Sequence, residues 1–323
     1  VVRVPELIDI DDIQAAATAI KAHVVRTPTV ASPALAALLG VPVTLKLELL
    51  QRTGSFKARG AFAKLLGLTA TERTAGVVAV SGGNHATALA DAAGSLGIAA
   101  TVVMPQSAPE RSIAAARASG ADVRLTPDMT GAFALMDELV AAGRTLVHPF
   151  DDPTVIAGQG TVGAEFAADA PEVTDVLVSI GGGGLIAGVA TALRAARPGV
   201  RVWGVETAGA DAMTHALAAG APVPITPTSI VSTLSAPHVS TLTLEHVRKL
   251  VQDVLVVPDA DAVRGTLTLA ESAKIWAEPA AGCLLPAAAQ VLDRIGRGAH
   301  LGLVICGGNM TMTDLTRWTA LVA

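Results

Sequence analysis

The chain has 323 residues, room for two domains at ~150 residues each. Hydrophobic residues make up 51% and charged residues 16%, which rules out a disordered chain and allows a large core. A net charge of −5 and 2% aromatics, with no Tyr, argue against a generic nucleic-acid or anionic-membrane surface and against a base-stacking platform.

Read in chain order, short β-rich runs alternate with longer Ala-rich ones. Strands are expected at 43–48, 77–80, 100–103, 122–125, 146–148, 176–180, 201–205, 253–257 and 301–306. Helices are expected at 13–22, 57–66, 84–96, 110–118, 131–142, 158–168, 185–196, 243–251, 259–272 and 286–294. This alternation implies βαβ units, hence an α/β fold of open, mostly parallel twisted sheets with helices on both faces. Residues 176–193 carry no charge, and their length is near the ~18 residues of a membrane span. Gly181, Gly182, Gly183 and Gly184 in their middle make a poor helix centre, so the segment reads as strand, glycine turn and helix. The first twelve residues hold four acids and no apolar h-region, so no signal peptide is expected. Two cysteines, Cys283 and Cys306, cannot form a disulfide framework and fit a reducing, cytoplasmic setting.

Ligands of such sheets bind at the carboxyl ends of the strands, so the turns after strands are where chemistry is expected. The first, Gln51 to Gly60, contains Lys57 at the start of a helix, with Thr53 and Ser55 as candidate caps. The helix dipole and burial would both lower an amine pKa there, as a nucleophilic lysine requires. Taken alone, the ordinary reading is a surface lysine beside Arg59. The second turn, Ser81-Gly82-Gly83-Asn84-His85, can converge backbone N–H groups on a carboxylate; its ordinary reading is a tight capped turn. The third is the glycine tetrad, which leaves room for a phosphate held by backbone dipoles but is weak as a nucleotide fingerprint. The fourth, Cys306-Gly307-Gly308-Asn309, sets a thiol at a strand end, where it is most often simply buried.

Together these turns resemble those of the fold-type II pyridoxal phosphate enzymes, in the serine/threonine dehydratase and serine racemase branch. The resemblance is carried by Gly54-Ser55-Phe56-Lys57-Ala58-Arg59-Gly60-Ala61, Ser81-Gly82-Gly83-Asn84-His85-Ala86, the tetrad, Glu278-Pro279 and Cys306-Gly307-Gly308-Asn309. It spans nearly the whole chain. It implies pyridoxal 5'-phosphate as cofactor, with Lys57 carrying the Schiff base and acting as the catalytic base. Phe56 would pack beside the ring, and Asn84 would bond its hydroxyl. Gly181 to Gly184 would cradle the phosphate, and Cys306 would face the pyridine nitrogen. Ser81, Gly82, Gly83 and His85 would bind the substrate. The implied reaction is β-elimination of water from a β-hydroxy amino acid, L-threonine, L-serine or an analogue, giving a 2-oxo acid and ammonia.

The resemblance further implies a large domain, residues 1–50 and 148–323, a small mobile domain, residues 51–147, and a homodimer. With room for only one helix after Asn309, no isoleucine-sensing domain is expected. Gly82 stands where serine racemases carry a serine acid/base, which favours elimination over racemisation. Val231-Ser232-Thr233 replaces the usual Ala-Asp-Gly, which puts the usual substrate in doubt. Glu206 and Ala210 match the family's divalent-cation pattern, but Ala212 replaces a carboxylate ligand, so weak or absent metal binding is expected. The alternatives are a serine racemase, a β-replacement enzyme of the same fold and, more distantly, a non-catalytic nucleotide-binding protein.

Overall fold

The structure, a computed structural model, describes residues 6–320 and 322. Ten strands form two sheets among the described residues. They are β1 (Thr29–Ala31), β2 (Val43–Leu47), β3 (Val77–Val80), β4 (Ala100–Pro105), β5 (Asp122–Thr126), β6 (Thr145–Leu146), β7 (Asp175–Ser179), β8 (Arg201–Thr207), β9 (Asp253–Val257) and β10 (Leu301–Ile305). The six-stranded sheet has the order β1-β2-β10-β7-β8-β9, and the four-stranded sheet β5-β4-β3-β6. All pairings are parallel except β1 with β2.

The central strands β2, β7 and β10 are buried because helices cover both faces. β7 and β10 are buried at every residue. Their register sets Leu303 beside Leu45 on one side and Leu177 on the other. The carboxyl ends of β2, β7 and β10 therefore lie side by side, and the first, third and fourth turns of the sequence reading start there. No helix among the described residues is long and apolar enough to cross a membrane.

Boundaries agree closely for several of the longer helices, although Pro153–Asp169 begins five residues before the expected 158. Helices Lys57–Leu66, Asn84–Leu96 and Glu110–Ala118 begin and end where expected. β6 is shifted, covering 145–146 instead of 146–148. The three-residue β1 and helices Pro33–Leu39, Ala70–Ala75 and Ala212–Ala219 were not anticipated. Each is too short for a period to stand out from its neighbours.

Candidate active site

Helix Lys57–Leu66 begins at Lys57, with Phe56 as its N-cap residue and no side-chain cap. The expectation that Thr53 or Ser55 caps it is incorrect. Thr53 takes a left-handed backbone, φ 60, and the Thr53 and Ser55 hydroxyls are buried without a partner. The entry is instead held by backbone pairing to the fourth turn. Ser55 bridges Gly307, and the Phe56 N–H donates to the Cys306 carbonyl at 3.1 Å. This pairing brings Lys57 next to Cys306.

The surface-lysine reading also fails. Lys57 retains partial surface, yet its amine is crowded by protein and donates to the Pro149 carbonyl at 2.9 Å. Desolvation lowers its pKa to about 8. Its Nζ lies 5.2 Å from the Phe56 ring centroid. Arg59 is fully buried.

Cys306 follows β10 and is buried; the Ser179 hydroxyl donates to its sulfur at 3.5 Å. Burial, and then the nearby Glu278 carboxylate, push its pKa up to about 12, so the thiol stays protonated at neutral pH.

The tetrad links β7 to helix Gly184–Ala196, which has Gly183 as N-cap residue and no side-chain cap. The first N–H groups of that helix are therefore available to an anion. Gly183 sits at φ 92. A Cβ on Gly182 would lie 2.0 Å from Phe150, and one on Gly181 would lie 3.2 Å from the Leu234 carbonyl oxygen. Phe150 also contacts His238, with ring centroids 6.3 Å apart. Phe150 was not singled out from the sequence. It follows Pro149 directly, so the same short segment touches both the lysine and the glycine turn.

The second turn leads from β3 into helix Asn84–Leu96, which also lacks a side-chain cap. Ser81, Gly82, Gly83 and Asn84 are all partly exposed there. His85 differs: it is buried, and its Nε2–H donates to the Val147 carbonyl at 2.9 Å. Burial, and then Lys57, bring its pKa down to about 3. The ring is neutral and occupied.

The Asn84 amide is held at both ends. Its Nδ2 donates to Glu278 Oε1 at 2.9 Å, and its Oδ1 accepts from Asn309 Nδ2 at 2.8 Å. Glu278 and Asn309 belong to the quoted motifs but had been given no role. Glu278 is buried, and its Oε2 has no partner. Burial raises its pKa from 4.5 to about 7. A raised folded pKa means stability is fully present below the unfolded value and is lost as pH rises through the folded one. Glu278→Gln should therefore show a smaller fall in Tm than the parent between about pH 5 and about pH 7.5. Parallel Tm curves for the two proteins would refute this.

The loop at 231–233 lies between the second and third turns. The Thr233 methyl comes within 3.9 Å of a Cβ built on Gly83, and Leu234 backs Gly181. Asp259 anchors the loop by accepting from the Ser229 hydroxyl at 2.5 Å and the Ile230 N–H at 2.9 Å.

Glu206, at the family's cation position, is fully buried. It accepts from Met213 N at 2.8 Å, Thr214 N at 2.9 Å and Thr214 Oγ1 at 2.7 Å. The carboxylate thus caps helix Ala212–Ala219, and Ala212 offers no ligand. These residues do not fit a divalent cation.

The residues of the four turns, by contrast, fit pyridoxal phosphate. The enclosed amine, the uncapped glycine turn, the protonated thiol and the unpartnered hydroxyls lie on adjoining turns. Lys57 could meet the aldehyde, the tetrad the phosphate, Cys306 the ring nitrogen and Asn84 the ring hydroxyl.

Comparison with known proteins agrees. The profile of the family described as "Pyridoxal-phosphate dependent enzyme" matches residues 20–307. The chain is 39% identical over 321 residues to an L-threonine ammonia-lyase of Thermotoga maritima, covering 96% of this chain and 78% of that protein. It is also 39% identical over 280 residues to a phenylserine dehydratase of Ralstonia pickettii, covering 86% of each. Among solved structures, maize serine racemase superposes with a TM-score of 0.90 at 33% identity, over 98% of this chain and 97% of that one. With the site and these likenesses together, the chain belongs to the pyridoxal-phosphate dependent enzymes of fold-type II.

Proposed function

We propose that this enzyme eliminates water from a β-hydroxy amino acid, releasing a 2-oxo acid and ammonia. The observation that carries the reading is the enclosed Lys57 amine beside a protonated thiol, with the uncapped N-terminus of helix Gly184–Ala196 on an adjoining turn. Bound pyridoxal phosphate supplies an electron sink for the substrate Cα. Lys57 takes the Cα proton as general base. The Cβ–O bond then breaks, its electron pair leaves with the hydroxyl, which takes up the proton held by Lys57 and departs as water, and the enamine product hydrolyses to the 2-oxo acid and ammonia. The N–H groups of the Ser81–Asn84 turn bind and orient the substrate carboxylate. Cys306, as a neutral thiol, offers the ring nitrogen no carboxylate partner, which suits an elimination whose leaving group carries the electrons away. Gly82 has no side chain to return a proton from the opposite face, so D-serine should not form from L-serine.

The relatives are named for threonine and phenylserine, and the 231–233 loop borders the same space. The substrate side chain is therefore to be decided by assay. The test is 2-oxo acid release from L-threonine, L-serine, D-serine and L-threo-phenylserine, with absorption spectra alongside. A yellow, cofactor-loaded protein that releases no oxo acid from any of them would overturn the reading.

Two further expectations follow from Lys57 and Glu206. Only the neutral amine attacks the cofactor aldehyde. Cofactor uptake by the apoprotein, followed by absorbance, should therefore speed up as pH rises through about 8 and then level off. A rate independent of pH across that range would contradict this. Because Glu206 is already satisfied by helix Ala212–Ala219, EDTA and added Mg²⁺ or Ca²⁺ should leave both Tm and activity unchanged. A cation-dependent rise in Tm would show that Glu206 leaves its cap to bind metal.

For the whole molecule we propose a cytoplasmic homodimer in which the four-stranded sheet closes over the six-stranded one on substrate binding. Within the span 51–147, helix Lys57–Leu66 is tied to the six-stranded side through Arg59, so the moving part would start after it.

A further inference from the structure

Lys57 starts a helix whose first turn no side chain caps; the backbone pairing of Ser55 and Phe56 to the fourth turn fixes the chain before it, and the helix itself still needs an anchor. A reacting amine on a long stem needs a fixed Cα. Arg59, two residues on, projects from nearly the opposite side of the helix, away from the cofactor space and into the protein. Its Nε and Nη2 donate to the two carboxylate oxygens of Glu48, both at 2.8 Å. Its Nη1 and Nη2 donate to the two oxygens of Glu165 at 2.8 and 2.9 Å. The Thr161 hydroxyl and the Val25 carbonyl accept further bonds at 3.0 and 3.3 Å. Lys46 completes the set, donating to Glu165 at 2.6 Å and to the Thr27 carbonyl at 2.8 Å. Two cations thus face two anions, and the side chains of Lys46, Glu48 and Arg59 have no exposed surface.

The partners come from the segment before β1, from β2, the turn after it, and helix Pro153–Asp169. One residue on, a Cβ at Gly158 would lie 2.7 Å from the Cα of Gly60, so the two helices touch backbone to backbone. Replacing a buried ion cluster with apolar residues is often neutral or stabilising, so stability is a weak reason for its presence. A bidentate fork does set position.

We propose that Arg59 is the positioning residue for Lys57: its double carboxylate fork locks the first turn of the helix onto the six-stranded sheet, which carries the phosphate cradle and Cys306. The proposal rests on Lys57 being the reacting amine. Arg59 touches neither substrate nor cofactor and acts only through where it holds that amine.

The test compares the parent with Arg59→Lys, which keeps the charge and loses the fork, and with the double variant Arg59→Met/Glu48→Gln. The double variant removes one cation and one anion together and leaves no lone buried charge. Four readouts are taken on cofactor-loaded protein: Tm, the absorbance of the bound cofactor, the fraction fixed to Lys57 by borohydride (peptide mass), and kcat and KM separately. The expected result is a double variant with near-parent Tm and KM, reduced fixation at Lys57, and kcat lower by about 10- to 100-fold. Arg59→Lys should show the same pattern in milder form. Parent-like fixation and kcat in a folded double variant overturns the proposal. So does a kcat loss that vanishes on assay at lower temperature, since that is loss of fold alone. Failure of borohydride to fix cofactor at Lys57 in the parent overturns the reading of Lys57 and the proposal with it.

Discussion

Lys57→Ala should lose oxo-acid release by about 10³-fold or more, the scale of removing a positioned general base, while the protein stays folded. The amine makes one hydrogen bond, to the Pro149 carbonyl, and its pKa is lowered because burial disfavours its charge. Removing it relieves that desolvation, so with both proteins cofactor-free the Tm below about pH 8 should be equal to or above the parent's. The spectrum should also change, because cofactor then binds only through the glycine turn and the ring contacts. Turnover at the parental rate would sink the assignment of Lys57. Lost activity with a collapsed Tm would mean that the lysine is structural.

The second large effect is expected at the tetrad. Gly182→Ala sets a methyl 2.0 Å from the Phe150 ring, a contact that forces the ring or the turn to move. Overpacking of this kind costs about 1–3 kcal/mol. Gly183→Ala asks a side chain to adopt φ 92, a left-handed conformation costing about 1–2 kcal/mol. Both should weaken cofactor binding, because the turn that presents the N–H groups is displaced. Titrating cofactor into the apoprotein by fluorescence measures this directly. The double variant Gly182→Ala/Phe150→Ala separates the causes. If Gly182 serves only to admit Phe150, the second change restores affinity. If affinity stays low, the turn itself needs glycine. Parent-like affinity in both single variants would refute the phosphate cradle.

Lys57 and the tetrad were visible because strand, turn and helix are neighbours in sequence, and each motif carries its own local chemistry. Phe150 was not visible as part of the cradle, since nothing within its own segment marks a ring lying over a glycine turn thirty-two residues on. Glu278 meets Asn84 across 194 residues. His85 stood inside a substrate-binding motif, yet its ring is taken up by a backbone carbonyl across 62 residues. Thr53 and Ser55 show the opposite error. Their residue types suit helix caps, but Thr53 sits in a left-handed turn at φ 60 and the Ser55–Gly307 bridge holds Ser55 extended, so neither hydroxyl caps the helix.

The alternating fold and the order of the turns are legible in the sequence, and so are the groups proposed to react. Hydrophobic period and glycine chemistry act over a few residues and can be read there. How those groups are poised depends on contacts between segments far apart in the chain. Glu206 became a helix cap because Met213 and Thr214 supply the donors it needs. Arg59 joined Glu48 and Glu165 across 11 and 106 residues. The pKa of Lys57 fell because distant segments removed water from its amine. Burial and ion pairing depend on which segments meet in space, and a local pattern carries no record of that meeting.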